Sequence, residues 1–174
     1  MKYIICIVLV AFAFTSCQQQ KIGYVDNGTV INDYQEKKDL ETRFQAKDDS
    51  FKKRADSISQ AFQLEAQKTQ NEAQRVARSN RKKAEELMVG LQQKQQILQQ
   101  QMQFEQQQIQ QSFQSEIDSL IIRVKDYVKD YGKTNGYTYI LGTSDAASSV
   151  LYGTDENDLT QTILDALNAE YKEK

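Results

Sequence analysis

The 174-residue chain has no proline and no histidine, and its cysteines are Cys6 and Cys17 alone. Without proline nothing forces a helix to break, so long uninterrupted helices are permitted. Without histidine the usual acid–base group of neutral pH and the commonest metal ligand are both missing. Apolar residues make up 39% and charged residues 26%, an apolar share below the globular average. The length allows one modest domain, or one domain with a long appendage. No Ser-His-Asp or Cys-His set, no glycine-rich phosphate loop and no zinc ligand set can be assembled. The expectation is therefore a protein that is not an enzyme, with no cofactor, no metal and no small-molecule substrate. Asp155, Glu156, Asn157 and Asp158 lack the alternating oxygens and closing glutamate of a calcium loop and read as a turn before a helix. Asp26 and Asp33 read as capping or turn residues.

What the sequence does have begins with an apolar run. Lys2 gives a short positive start, and residues 3–14 are apolar throughout. Twelve residues fall short of the roughly 20 that span a bilayer, and the segment fits the core of a secretory signal. Ser16 precedes Cys17, the arrangement of a bacterial lipoprotein signal (residues 1–16), with Phe14 standing where leucine is usual. Cys6 leaves with such a signal, so Cys17 has no partner within the chain and a structural disulfide is excluded. Cys17 is expected to carry lipid, with residues 17–20 as anchor and polar glutamine spacer. Several acyl chains together hold a protein at a membrane far better than one. The alternative is an ordinary cleaved signal followed by an incidental cysteine. No acidic run follows the cysteine, which favours the periplasmic side, at the face of the outer membrane. Loss of Lys2 leaves 21 basic residues against 24 acidic ones, a net charge of −3, so nucleic acid is not an expected partner.

The remaining chain changes period twice. Lys21 to Asp26, KIGYVD, alternates like a short strand, and Asn27 and Gly28 supply turn chemistry after it. From about residue 33 to residue 131, apolar residues recur at steps of three, four and seven. Phe44, Phe51 and Ile58 fall one heptad apart, as in a coiled coil. Between Leu91 and Gln114, 14 of 24 residues are glutamine, but the apolar stripe persists through them. One straight helix over this span would be roughly 150 Å long and would need a partner along its length. Folding back is the cheapest solution, with the tip near residues 76–83, where the stripe thins to alanines and Ser79-Asn80 favours a turn; Gly90 is the rival position. Residues 21–32 and 132–174 are expected to form a β-rich core. It comprises a strand over 137–141, a shorter one over 150–152, and a last helix from about 161 to 171 with Thr160 as N-cap and Leu159 packed on Leu164. Three short strands cannot close a sheet alone. Oligomerisation through Ile22, Tyr24, Tyr139, Leu141 and Leu151 is expected.

The cluster Arg75, Arg78, Arg81, Lys82 and Lys83 at the expected tip reads as a solvated end of a coiled coil, and functionally as a contact point for anionic headgroups or acidic segments. The glutamine-rich arm reads either as a solubilising face or as a polar, adaptable wall against an unfolded chain.

Taken in order, KIGYVD, the long helical hairpin, YTYIL after a glycine-containing helix end, VLYGT and DLTQTILDALN make residues 21–171 resemble the Skp/OmpH family of periplasmic chaperones. The resemblance implies an α+β, mostly α fold: a long antiparallel coiled-coil hairpin on a small β core completed by trimerisation. It implies a homotrimer whose hairpins surround a cavity holding unfolded outer-membrane β-barrel proteins, without ATP. Phe62, Leu64, Leu98 and Phe104 are the candidate client contacts. Members of that family are strongly basic, whereas this chain is slightly acidic, and the lipid anchor would tie the protein to one membrane. The competing function is a lipid-anchored coiled-coil spacer or adaptor of the envelope.

Overall fold

A computed structural model describes residues 20–143 and 150–173. The expected signal (residues 1–16), Cys17 as the expected lipid attachment point, the expected spacer as far as Gln19 and residues 144–149 lie outside the described residues. The elements run β1 (Ile22–Asp26), α1 (Asn27–Asp33), α2 (Gln35–Ala77), α3 (Arg81–Thr134), β2 (Tyr139–Thr143), a 3-10 turn (Asp155–Asn157) and α4 (Thr160–Lys172). The architecture is mostly helical with one small parallel sheet, in the expected class. The chain divides into two compact units, Met1–Glu36 with Ile121–Lys174, and Lys37–Leu120.

In the first unit β1 and β2 pair in parallel, with Ile22 opposite Tyr139 and Tyr24 opposite Leu141. Alternation along a strand sends Gly23 and Val25 to one face, where Val25 is buried. A Cβ at Gly23 would lie 2.6 Å from Leu159 Cδ1, so only glycine lets Leu159 press against the strand. Val25, Val30, Tyr34, Leu159, Ile163, Leu164 and Leu167 form the apolar core. Thr160 ties two elements together: its hydroxyl accepts from the Asp26 N–H (2.9 Å).

Four expectations change here. Asn27 and Gly28 open a short helix instead of a turn, because Asp26 Oδ1 accepts from Thr29 N–H (3.0 Å) and so caps α1. The second strand starts two residues late, because Tyr137 N–H still bonds back to Gly132 O (2.9 Å) and Gly136, at φ 70°, finishes the helix end. Residues 150–152 form no strand: the open edge of β1 is taken by Leu159, whose N–H donates to Tyr24 O (2.9 Å), beside a bridge between Tyr24 and Asp158. Thr160 is the first residue of α4, not its cap; its own N–H is accepted by Asp158 Oδ1 (2.8 Å).

The second unit is an antiparallel helix pair, with residues 78–80 between its helices. Ser79 and Asn80 N–H groups both return to Val76 O (3.0 and 2.8 Å), and Asn80 Oδ1 accepts from Lys83 N–H (3.1 Å), capping α3. Gly90 lies inside α3. The seam follows a longer period than the heptad suggested by sequence. Buried or half-buried positions recur every 11 residues: Leu40, Phe51, Phe62 and Ala73 on α2, and Leu87, Leu98, Ile109 and Leu120 on α3. A companion row runs through Phe44, Ala55 and Ala66, facing Leu91, Met102 and Phe113. A strict heptad drifts about 20° around a straight helix, so Ile58, one heptad beyond the buried Phe51, rotates out of the seam and is 38% exposed. Eleven residues drift the other way, which favours a straight or slightly right-handed pair.

Candidate functional site

Two surfaces carry the residues singled out by sequence, one in each unit. In the helix pair the polar faces are organised by crossing ion pairs: Arg43 with Glu116, Arg54 with Glu105, and Lys94 Nζ with Glu65 at 2.6 Å. In the first unit Arg123 pairs with Glu36. In all four the residue numbers add to 159, so their common midpoint falls between Ser79 and Asn80. Successive α2 members lie 7, 11 and 11 residues apart, the last two steps matching the seam. Phe44 and Phe113 meet edge-to-face, with ring centroids 5.2 Å apart, a favourable geometry for aromatic pairs.

Against this ordered polar face, apolar side chains stand out. Leu64, Ile97 and Phe104 are each more than half exposed, and Val89 and Met88 are also exposed. Ile97 and Phe104 lie seven residues apart, on one side of α3. Of the four contacts named from sequence, Leu64 and Phe104 are therefore exposed, while Phe62 and Leu98 are half-buried in the seam. Ile97 was missed; the available signal was an apolar residue one place out of step with Leu98. Arg75, Arg78, Arg81, Lys82 and Lys83 are all exposed near the turn, and Arg81 pairs with Glu85 at 3.1 Å. Beside them a groove of about 630 Å³ is floored by Ala73, Ala77 and Ala84 and edged by Met88 and Val89.

In the first unit Ile22, Tyr24, Tyr139 and Leu141 share the sheet face opposite the core, as their paired register requires. Ile22, Tyr139 and Leu141 are exposed and Tyr24 is half-buried. Leu151 is 95% and Tyr152 85% exposed, and Gly153 crosses the Tyr24 ring. Burial holds the Tyr24 phenol above its ordinary pKa, and the Asp158 and Asp155 carboxylates reinforce it. Tyr34, stacked edge-on against Tyr171 at 6.0 Å, is raised further by burial and by its hydrogen bond with Glu36. Tyr34 lies in the packed core and Tyr24 on the opposite sheet face, and in both the raised pKa keeps the phenol neutral at pH 7. Among the described residues no cluster of carboxylates or cysteines could hold a metal, and no helix is long and apolar enough to cross a membrane.

Comparison with curated proteins finds no match. Among solved structures, a candidate outer membrane chaperone (OmpH-like) from Caulobacter crescentus CB15 superposes with a TM-score of 0.69 at 13% identity, covering 89% of this chain and 88% of that one. At that identity the likeness establishes the fold. The family model for OmpH-like outer membrane proteins matches residues 21–167, nearly everything after the apolar run of residues 3–14, and the chain belongs to that family.

Proposed function

We propose that the protein is a periplasmic holdase that binds unfolded outer-membrane β-barrel proteins without ATP. The observation that carries this reading is the set Leu64, Ile97 and Phe104, exposed on two helices whose surroundings are glutamine and paired charge. Fully burying one such side chain is worth about 1.5–3 kcal/mol, whereas micromolar affinity needs about 8 kcal/mol. An unfolded chain would thus be held only by several contacts at once, and losing any one of them favours release. That is the behaviour of a carrier that uses no nucleotide. The OmpH-like membership and the description of the Caulobacter protein agree with this reading.

In the same proposal three copies assemble through Ile22, Tyr24, Tyr139, Leu141 and Leu151, so that several helix pairs enclose one client. Lipid on Cys17 ties the assembly to the periplasmic face of the outer membrane, and the basic side chains from Arg75 to Lys83 meet anionic headgroups or acidic client segments. The exposed apolar sheet face supports the assembly, since a monomer rarely leaves such a patch uncovered.

The test is dilution of a urea-unfolded β-barrel into the protein lacking residues 1–16, with Cys17 replaced by serine. Light scattering should stay flat at stoichiometric protein and rise with the Leu64→Ser/Ile97→Ser/Phe104→Ser variant. Unchanged aggregation in both cases would reject the holdase and leave a spacer role.

A further inference from the structure

Lys125, Lys129 and Lys133 line a groove of about 350 Å³ between α3 and β2, and no carboxylate lines it. Four residues apart on one helix, they stand in a row about 12 Å long, and all three are exposed. Lys133 has Asp130 at 3.2 Å, but both side chains are largely exposed, and such pairs exchange readily with competing charges. Lys125 and Lys129 have no ion pair among the described residues. Lys21 joins the row from the start of the described chain. Its Nζ lies 4.0 Å from the centre of the Tyr137 ring, which lines the same groove, and donates to Asn135 O (3.1 Å). The Thr138 N–H donates to Lys21 O (2.8 Å), which holds the chain entering β1 beside the groove.

The other side of this unit has the opposite sign. From residue 134 to residue 171 the sequence has six acidic residues and no lysine or arginine. Asp158 lies along β1, where it bridges Tyr24, while the lysine groove borders β2. Asp126 and Asp130 share α3 with the row, so four lysines face two carboxylates and a positive surplus remains. An anionic surface is therefore attracted on the groove side and repelled on the other. The position of Cys17 bears on which surface that is. Cys17 is four residues before Lys21, and four fully extended residues span at most about 14 Å. Anything attached at Cys17 thus keeps Lys21 close to it, at a scale near the Debye length of about 8 Å over which a charged bilayer acts.

We infer that Lys21, Lys125, Lys129 and Lys133 form a docking face for the anionic phosphate headgroups of the membrane that holds the Cys17 lipid. This rests on the reading that Cys17 carries lipid, and adds which face of the protein meets the bilayer. Lipid alone leaves the protein free to turn on its short spacer, whereas the lysines select the side that lies on the surface. Two signals, an acyl group and a basic patch, also anchor far more firmly than either does alone. Each lysine held near such a surface multiplies the partition coefficient about fivefold, so the three of the α3 row are together worth about 100-fold. The headgroup contact then belongs to this unit, and the cluster from Arg75 to Lys83 is left to acidic client segments.

In the chain without residues 1–16, Cys17 is the only cysteine, so a maleimide bearing one palmitoyl chain can be attached there, and Cys17→Ser gives the unacylated form. Sedimentation with phosphatidylcholine vesicles, with and without phosphatidylglycerol, reads the partition coefficient. Phosphatidylglycerol should strengthen the binding of both forms. Lys125→Gln/Lys129→Gln/Lys133→Gln should weaken it about 100-fold, and 1 M salt, with a Debye length of about 3 Å, should bring the unsubstituted chain down to the same level. Arg75→Gln/Arg78→Gln/Lys82→Gln removes the same charge and should leave binding nearly unchanged. Indifference to phosphatidylglycerol, or an equal loss from both triple variants, would overturn the docking face. Protection of the lysine row from acetylation by an unfolded β-barrel, but not by anionic vesicles, would overturn it in favour of a client contact. Protein taken from its own membrane with no acyl group on Cys17, while the charge-dependent binding stands, would remove the anchor reading alone and leave the headgroup contact supported.

Discussion

Replacing Arg54 with glutamate sets a carboxylate beside Glu105 at the centre of the charge ladder. Arg54 and Glu105 are 52% and 47% exposed, so water screens them and the lost attraction is worth only about 0.2–1 kcal/mol. The new repulsion adds a similar amount, for a combined cost of about 0.5–2 kcal/mol. In a chain of this size that lowers the thermal midpoint by about 1–8 °C. The reciprocal change, Glu105→Arg, made on top of Arg54→Glu, should recover most of the loss, because the pair is restored with its sign inverted. A shift of 11 residues would return the seam to register and exchange the partners. In one direction Arg54 meets Lys94 while Arg43 meets Glu105; in the other Glu65 meets Glu105 while Arg54 meets Glu116. The ladder by itself therefore penalises slippage only weakly. The assay is calorimetry of wild type, both single variants and the double variant, at low salt and at 1 M salt, where the Debye length is about 3 Å. A deficit that survives high salt, or a double variant no better than the worse single one, would refute the ion-pair register.

Leu120→Ala, at a side chain with no exposed surface, should cost about 2–5 kcal/mol through lost burial and a cavity, read from the urea midpoint; a cost below 1 kcal/mol would mean the seam collapses around the gap. Asp26→Ala should cost about 0.5–2 kcal/mol as a lost helix cap. The Asp26 carboxyl is held below its ordinary value chiefly by the Thr29 N–H, so its stabilisation is present above about pH 4 and is lost as pH falls through the lowered folded value. The stability gap between wild type and Asp26→Asn should therefore be constant at neutral pH and close in acid; a gap that widens in acid would contradict the cap.

The helical pair was readable from sequence because nothing in it competes: no proline interrupts it, glutamine, lysine and glutamate favour helix, and the stripe is continuous. Its period was harder to read. Phe44, Phe51 and Ile58 look like successive positions of a heptad stripe, and the exposure of Ile58 together with the burial of Leu40, Phe51, Phe62 and Ala73 shows the repeat to be eleven. Over two heptads the two periods differ by less than half a turn, so spacing alone separates them poorly. The turn chemistry of Asn27-Gly28 was legible but its partner was not: Asp26 turns those residues into a helix start. The strand-like residues 150–152 show a different limit, since period and residue type predict willingness to pair but not whether the same chain offers an edge. The exposed apolar residues were half legible. Leu64 and Phe104 stand clear of the seam, but Phe62 and Leu98 are part of it, and telling them apart requires the register of both helices.

A photo-cross-linking amino acid placed singly at Leu64, Ile97 and Phe104, and for comparison at Leu40 and Leu120 in the buried seam, tests the central claim most directly. With an unfolded β-barrel present, the account predicts adducts to the client from the first three positions, none from the seam, and their disappearance once the client has folded. Equal labelling at all five positions, or no client adduct at any of them, would contradict it.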